Sequence, residues 1–296
     1  MAHAALSPAR LLSPLLNTLR LFAHRTKLAN AVRIVRQLFH FGPWRVIPIA
    51  LIKRLRGPAP LQNVANSLLP LIDERAITTQ LKQDGVAPAG VLPANFVEEL
   101  RQLTDALPPE EYHQSHQASP HIQAISEDPA ICNVLRRYLG CEPVLLEASL
   151  FVTQPEQALP VANQNYFHYD YAGWESMNVF VYLTDVYATA SHHMAIKGSH
   201  RHIGFKDIMR GLISDQEASQ RFADNACPIT GPAGTVFFEN TEVFHKRTRG
   251  NERRVMLNLT YTSHRNLLSY GRASRNNLAY RDKLFSELMP DAGAAS

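Results

Sequence analysis

The sequence has few cysteines, no long apolar run and, over its first 72 residues, no acidic side chain. Cys132, Cys141 and Cys227 form no C-x-x-C pair and no dense disulfide pattern. We therefore expect ordinary thiols in a reducing, cytoplasmic setting, and no thiol catalysis. The longest apolar run near the amino terminus, residues 46–52, is far shorter than the roughly 20 residues that a membrane-spanning helix needs.

Basic charge is concentrated at the amino terminus. Residues 1–60 contain ten Lys and Arg, which leaves 20 basic against 26 acidic residues in the rest of the chain. Two sets of apolar residues recur there at helical spacing and predict two short basic amphipathic helices: Leu12, Leu15, Leu16, Leu19 and Phe22, then Leu28, Val32, Val35 and Phe39. Three roles stay open: packing on the core, peripheral contact with an anionic membrane, or a cleaved targeting segment. We expect no nucleic-acid partner, because the body of the chain is acidic.

The rest of the chain predicts a mainly β protein with helices on one side. Helical periodicity with start and stop signals covers residues 93–107 and 127–140, the second between Asp128-Pro129 and Gly140. Seven strand-like runs then follow at residues 143–153, 165–171, 177–186, 193–198, 234–240, 242–248 and 253–262. Many short strands with regular turn breaks are typical of a sandwich or barrel. A length of 296 residues with 45% hydrophobic content suffices for one large core.

A candidate metal site begins at His168-Tyr169-Asp170. Residues i and i+2 of a strand point to the same face, so an imidazole nitrogen and a carboxylate oxygen lie within the span of one cation. Such a pair without thiolates suits Fe(II), Mn(II) or Zn(II). By itself the tripeptide is weak evidence, because most such pairs are ordinary polar residues of a sheet.

A wider pattern is more specific: His-x-Asp, about 75 residues, His245, and Arg254 nine residues later. With this pattern the chain resembles the phytanoyl-CoA dioxygenase family of Fe(II)- and 2-oxoglutarate-dependent oxygenases. The resemblance covers roughly residues 77 to 262. It rests on the segments "LKQDGVAPAGVLPANFVEEL", "DPAICNVLRRYLGCEP", "FHYD", "YLTDVYATASHHMAIKGSHR" and "FHKRTRGNERR".

The resemblance implies a double-stranded β-helix, which is a cupin-like jelly roll. The residue patterns divide the chain into a basic helical extension over 1–72, the dioxygenase domain over 73–264 with a lid-like, helix-like insertion at 203–226, and a helical tail over 265–296. The resemblance further implies that His168, Asp170 and His245 hold Fe(II), with 2-oxoglutarate and O2 as cosubstrates. The implied reaction hydroxylates an aliphatic carbon and releases succinate and CO2.

The carboxylate of 2-oxoglutarate far from the metal needs a planar, permanently charged partner, which arginine supplies best. Arg253 and Arg254 are adjacent and must point to opposite faces of their strand. Arg254 alternates with a more polar set than Arg253, and in the family the arginine stands seven residues before an aromatic, here Tyr261. We therefore assign Arg254 to the cosubstrate, with Asn178 and Tyr182 on one face of their strand as further cosubstrate contacts.

The other histidines are weaker candidates. We expect His200, in a Gly-Ser-His turn where Lys197 replaces the family's proline, to be structural. We expect His192, His193 and His202 to lie on loops, to titrate in solvent and to have no carboxylate beside them that could complete a second metal cluster.

Substrate stays open at this stage. A lipid-linked, acyl or glycan substrate at a membrane surface is the first hypothesis, and a soluble anionic metabolite is the second. Two other function classes compete with the oxygenase: a zinc hydrolase built on the same donors, and a jelly-roll binding module without catalysis.

Overall fold

The computed structural model describes residues 28–155 and 162–266, together with residues 268, 269 and 278. Its strands form two sheets in which every neighbouring pair is antiparallel. The strands are β1 Val86–Val91, β2 Glu110–Tyr112, β3 Val144–Thr153, β4 Phe167–His168, β5 Ser176–Tyr182, β6 His193–Ile196, β7 Leu212–Ile213, β8 Ala226–Ile229, β9 Thr235–Asn240, β10 His245–Arg247 and β11 Arg254–Thr262. The large sheet has the order β1-β9-β5-β11-β3-β2, and the small sheet the order β7-β4-β10-β6-β8.

Eight α-helices flank these sheets in the described part of the chain. They are α1 Leu28–Phe41, α2 Val46–Arg56, α3 Glu74–Asp84, α4 Ala94–Asp105, α5 Pro120–Ser126, α6 Pro129–Leu139, α7 Phe205–Arg210 and α8 Asp215–Phe222. Short 3-10 turns cover Pro43–Arg45, Ser115–Gln117, Asn163–Asn165, Ser199–Arg201 and Ala223–Asn225. None of the helices described is long and apolar enough to cross a membrane.

The two faces of the large sheet have different tasks. On β11, Val255, Leu257 and Leu259 are fully buried and pack with apolar side chains of α3, α4 and α6. On the opposite face of β11, Met256 belongs to a second cluster with Phe180 of β5 and Ala195 of β6. Because strand side chains alternate, the polar residues of this second face lie between the two sheets.

Several predicted elements are confirmed nearly to their ends: α4, α6, β3, β9 and β11. Asp128 caps α6 by accepting hydrogen bonds from two backbone N–H groups, and Gly140 ends the helix with φ +72°. Other predictions were too long or missing. The runs at 165–171 and 242–248 contain only the short strands β4 and β10. The strands β2, β7 and β8 were not predicted, and β1 lies in a segment identified only through the resemblance.

The basic extension packs on the core through polar contacts. Arg45 forms a two-pronged ion pair with Glu242, and Lys53 lies 2.6 Å from the carboxylate of Glu175. The indole N–H of Trp174 donates to the carbonyl of Phe39 over 3.0 Å. The helices α1 and α2 therefore pack on the core, and contact of their outer surface with a membrane stays a prediction. The helix predicted around Leu12–Phe22 and most of the predicted tail lie outside the described residues.

The outer face of α2 is aliphatic. Ile47 and Leu55 are 75% and 77% exposed, and Val46 and Leu51 are also exposed. Arg54 is exposed among them. Lys53 points inward to its ion pair, so the outer face of this helix carries exposed aliphatic side chains beside Arg54.

The segment 203–226 was expected to be one helix-like insertion. It consists of α7 and α8 separated by strand β7, which pairs with β4. Arg221 of α8 forms a two-pronged ion pair with the buried carboxylate of Asp207 in α7. The pairing of β7 with β4 holds the segment beside the strand that carries His168.

Candidate metal centre

Two histidines on neighbouring strands of the small sheet face each other. His245 of β10 is the direct cross-strand partner of His168 of β4, and their ring centroids are 4.4 Å apart. In both rings Nδ1 lies near the carbonyl oxygen two residues earlier: 2.9 Å from Tyr166 for His168, and 3.1 Å from Val243 for His245. With the proton on Nδ1, each Nε2 keeps its lone pair for a cation.

Asp170 completes the set from the segment after β4. Its backbone N–H donates to the carbonyl of Thr241 over 2.8 Å, which fixes the segment. Its Oδ2 lies 3.9 Å from Nε2 of His245, and the ligand atoms of His168, Asp170 and His245 all lie within 4.8 Å of one another. Two imidazoles and one carboxylate fit a divalent first-row metal and leave room for further ligands.

In the metal-free protein, the pKa values of the two histidines are shifted in opposite directions. Burial, followed by the charge of His245, lowers the pKa of His168 to about 4. Burial also acts to lower the pKa of His245, but the negative charge and hydrogen bond of Glu239 outweigh it and raise this pKa to about 9. His168 is therefore neutral and ready to ligate, whereas His245 must give up a proton to a metal.

Sequence reasoning missed the carboxylate behind His245. Glu239 of β9 is fully buried, and its Oε1 lies 3.1 Å from Nδ1 of His245. Its Oε2 lies 2.8 Å from Nε2 of His193. Burial acts to raise the pKa of Glu239, but the charges of the two histidines hold it at about 2. Strand alternation puts Glu239 on the same face as Phe237, which packs between the sheets, but it does not indicate which side chains Glu239 meets there.

The expectations for His193 were wrong. His193 is buried on strand β6, its pKa is lowered first by burial, and a carboxylate does stand beside it. The atoms of His193, Glu239 and His245 are also close enough together to hold an ion. His192 is half-buried with a lowered pKa, whereas His202 is exposed as expected.

Asn178 orients Asp170. Its Nδ2 donates to Oδ2 of Asp170 over 3.2 Å, and its Oδ1 accepts from the hydroxyl of Thr260 over 2.8 Å. The register places Glu239, Asn178, Thr260 and Glu147 in one row across four strands of the large sheet. Asn178 thus hydrogen bonds to the carboxylate of Asp170, a candidate metal ligand, and its contact with a cosubstrate stays a prediction.

The two candidate arginines point to opposite sides of β11. Arg254 is 2% exposed and donates to the carbonyl of Ser191 over 2.9 Å. Its charge acts on both Tyr182 and His193, so it lies on the inner side near the histidine cluster. Arg253 donates to the carbonyl of Thr104 at the end of α4. Of the two, Arg254 is the one with access to a ligand between the sheets.

Tyr182 is a structural bridge in this structure. Its hydroxyl donates to the carbonyl of Ile229 over 2.8 Å and accepts from the backbone N–H of His193 over 3.0 Å. It thereby ties β5 to both β8 and β6. To contact a cosubstrate, this hydroxyl would have to give up its hydrogen bond to Ile229 or to His193, and the cosubstrate contact of Tyr182 stays a prediction.

The Gly-Ser-His turn positions the strand of His245. The hydroxyl of Ser199 accepts from the backbone N–H of Phe244 over 2.9 Å. Gly85, at the end of α3, has φ +77°, and a Cβ there would lie 2.5 Å from His200. His200 therefore packs closely against a position that only glycine can occupy, as expected of a structural histidine.

Burial raises the pKa of Cys132 to about 11, which agrees with an inert thiol.

A polar wall continues beyond Asp170 on β2 and β3. The hydroxyl of Ser149 donates to the carboxylate of Glu111 over 3.2 Å, and Nδ1 of His113 lies 3.4 Å from Glu147. The pKa of Glu111 is raised by burial, and the charges of Glu147 and Asp170 raise it further. This wall is acidic and rich in hydrogen-bonding groups.

Solved structures share this fold. EctD from S. alaskensis in its apoform is 18% identical over 74% of this chain and 87% of its own, with a TM-score of 0.51. EctD with bound Fe matches at 18% identity over 70% and 82%, with a TM-score of 0.51. Apo HygX from Streptomyces hygroscopicus matches at 18% identity over 64% and 89%, with a TM-score of 0.50.

No family model and no curated protein matches the sequence. The structural likeness therefore establishes the fold, and membership of the phytanoyl-CoA dioxygenase family stays a prediction.

Proposed function

We propose that the protein is an Fe(II)- and 2-oxoglutarate-dependent oxygenase with a jelly-roll core that hydroxylates an aliphatic carbon. The observation that carries the proposal is the convergence of His168, Asp170 and His245 from one side. Three protein ligands leave positions for a bidentate 2-oxo acid and O2, whereas a closed four-ligand site would not. EctD, which shares the fold, has a structure with bound Fe.

Each residue has a defined task in this proposal. His168, Asp170 and His245 hold Fe(II), which together with 2-oxoglutarate and O2 would supply the oxidising chemistry. Asn178 keeps the Asp170 carboxylate oriented, and Arg254 binds the far carboxylate of 2-oxoglutarate. The buried aromatic residues between the sheets exclude water from the reacting groups.

One spectroscopic experiment separates the three function classes. Fe(II) and 2-oxoglutarate are added anaerobically, and the visible spectrum is recorded. We expect the weak charge-transfer band of a bidentate 2-oxo acid on Fe(II), followed by succinate formation in air. Tight zinc binding with no such band would favour the hydrolase, and no metal binding would favour the binding module.

Among the open substrate classes, we propose one rich in hydroxyl groups, such as a glycan. The wall of Glu111, His113, Glu147 and Ser149 supports it, because carboxylates accept hydrogen bonds from hydroxyls and repel anions. We expect neutral glycosides to stimulate succinate formation more than fatty acyl compounds or anionic metabolites. Glu111→Gln should then raise KM for the glycoside more than KM for 2-oxoglutarate, because the Glu111 side chain is the more exposed carboxylate of this wall. Stimulation by acyl compounds alone would contradict this choice.

We also propose peripheral contact with an anionic membrane through the outer face of α2. Exposed Ile47 and Leu55 beside exposed Arg54 support it, as does the absence of acidic residues from the sequence of this extension. Ile47→Ser with Leu55→Ser should abolish binding to vesicles of phosphatidylserine and phosphatidylcholine at low salt. Leu71→Ser is the matched control, because Leu71 is 95% exposed outside this helix. Wild-type protein that ignores such vesicles would end the proposal.

A further inference from the structure

We propose that Glu239 is the positioning residue of the metal centre, and that His193 holds Glu239 in place. The inference rests on the proposed metal-binding function and adds two residues that no part of that function required. Both lie between the sheets and are almost fully buried.

The contacts form a chain that ends at the metal face. Nε2–H of His193 donates to Oε2 of Glu239 over 2.8 Å, and Oε1 of Glu239 lies 3.1 Å from Nδ1 of His245. The Nδ1–H of His245 hydrogen bonds to the carbonyl of Val243 over 3.1 Å, and Oε1 of Glu239 is buried beside it with no hydrogen bond of its own. A carboxylate can only accept, so both oxygens favour a proton on Nδ1, and the neutral ring then offers the Nε2 lone pair on the side of Asp170.

Glu239 adds to the hydrogen bond that Nδ1 makes with the backbone carbonyl of Val243, because its carboxylate oxygen lies at the same distance of 3.1 Å. A carbonyl orients the ring, but a carboxylate also adds a negative charge and makes the imidazole a stronger donor. The ring of His168 has its Nδ1 against the carbonyl of Tyr166 instead. The two histidine ligands therefore differ, and His245 is the stronger one.

His193 is itself rigidly held. Its ring lies 4.9 Å from the ring of Phe180 and stacks 5.0 Å from that of His245. Its backbone N–H donates to the hydroxyl of Tyr182. A fixed donor at this place prevents the Glu239 carboxylate from rotating away from His245.

The same three residues do not form an independent second metal site. A neutral imidazole has one lone pair, so His245 cannot ligate through Nε2 and through Nδ1 at once. An ion bound by His193, Glu239 and Nδ1 of His245 would remove a ligand from the site with Asp170. The hydrogen-bonded chain and the metal centre support each other, whereas two metal sites would compete.

The test uses Co(II) affinity of the full-length protein, measured anaerobically by titration of the visible absorption. Glu239→Gln should weaken Co(II) binding about 10- to 100-fold, because an amide carries no charge and cannot accept from both histidines. Asp207→Asn is the matched control, since it removes another buried carboxylate whose partner is Arg221. It should lower stability and leave Co(II) affinity unchanged.

A pair of variants at His193 keeps the test independent of how Glu239→Gln folds. His193→Leu removes the donor and should weaken Co(II) binding about tenfold. His193→Gln retains a donor for Glu239 and should restore most of the affinity, which a purely structural role of the ring would not allow. Equal Co(II) affinity in wild type, Glu239→Gln and His193→Leu would overturn the inference.

Paramagnetic proton NMR of the Co(II) protein gives a second readout. The wild type should show two shifted, exchangeable imidazole N–H signals, one from His168 and one from His245. Glu239→Gln should shift or remove one of them, and an unchanged pair would overturn the positioning role. Wild-type protein that binds no Co(II) and shows neither signal would instead overturn the metal centre itself.

Discussion

Charged side chains serve opposite purposes in the amino-terminal extension and in the metal centre. In the extension, Arg45 and Lys53 each meet an acidic partner on the core. In the metal centre, three donors converge from one side with their ligand atoms within 4.8 Å of one another. Matched pairs stabilise the packing of two segments, whereas donor atoms that converge from one side indicate a place for an ion.

The two regions meet at the segments that carry Asp170. The extension pairs with Glu175, five residues after Asp170, and with Glu242, the residue after Thr241. Asp170 and Thr241 are joined by a backbone hydrogen bond. The extension therefore braces the loop of a metal ligand. Changes in the extension should act on stability, and changes in the metal centre on affinity.

The largest effect should come from Asp170→Ala. Loss of the carboxylate donor should abolish Fe(II)-dependent succinate formation and Co(II) binding. The free energy of unfolding of the metal-free protein, measured in urea, should change by about 1 kcal/mol or less, as for most substitutions at partly exposed positions. Retention of full activity would contradict the assignment of this ligand, and His168→Ala should behave in the same way.

Arg254→Lys should weaken 2-oxoglutarate binding about 30-fold, since about 2 kcal/mol is lost when a two-pronged contact becomes a single one. The measurement is titration of the anaerobic Fe(II) protein with 2-oxoglutarate. Arg253→Lys is the matched control, because this neighbour bonds to the end of α4 on the opposite face. Equal weakening by both variants would refute the choice between them.

Arg45→Ala should lower stability and leave metal affinity almost unchanged, which is the opposite of the result expected for Asp170→Ala. Loss of the ion pair with Glu242 should lower the free energy of unfolding by about 2 kcal/mol, the scale of a charge-assisted contact. Co(II) affinity should stay within about threefold of wild type. Arg54→Ala, at an exposed position on the same extension, should change stability by about 0.5 kcal/mol or less.

The metal-free protein should be most stable near pH 6.5, the ordinary pKa of histidine. His168, with a folded pKa of about 4, costs stability as pH falls from 6.5, because the unfolded chain binds the proton more readily. His245, with a folded pKa of about 9, contributes stability below pH 6.5 that is lost as pH rises toward 9. In urea titrations with EDTA, the free energy of unfolding should fall by roughly 2 to 3 kcal/mol as pH rises from 6.5 to 9. A flat profile from pH 6.5 to 9 would contradict the His245–Glu239 contact.

Sequence reasoning recovered the long elements because their periodicity is strong. Strand β11 alternates over nine residues, and α6 has both a capping Asp128 and a terminal Gly140. The missed strands β2, β7 and β8 have two to four residues, too few for a period to show. Pro228 also obscured β8, which tolerates it as the outermost strand of its sheet.

The site divides in the same way. His168, Asp170 and His245 were found through a motif, and their convergence follows from a register that pairs the two histidines across strands. Glu239 belongs to no motif, and its partners arrive from strands about 45 residues before it and six residues after it. Contacts of that kind depend on sheet order, which local sequence patterns do not encode.

Anomalous diffraction from a crystal of the Mn(II)-loaded protein tests the central claim most directly. We predict one peak bounded by Nε2 of His168, a carboxylate oxygen of Asp170 and Nε2 of His245, with the remaining ligands from water or 2-oxoglutarate. A peak between His193, Glu239 and Nδ1 of His245, or no peak near these residues, would contradict it.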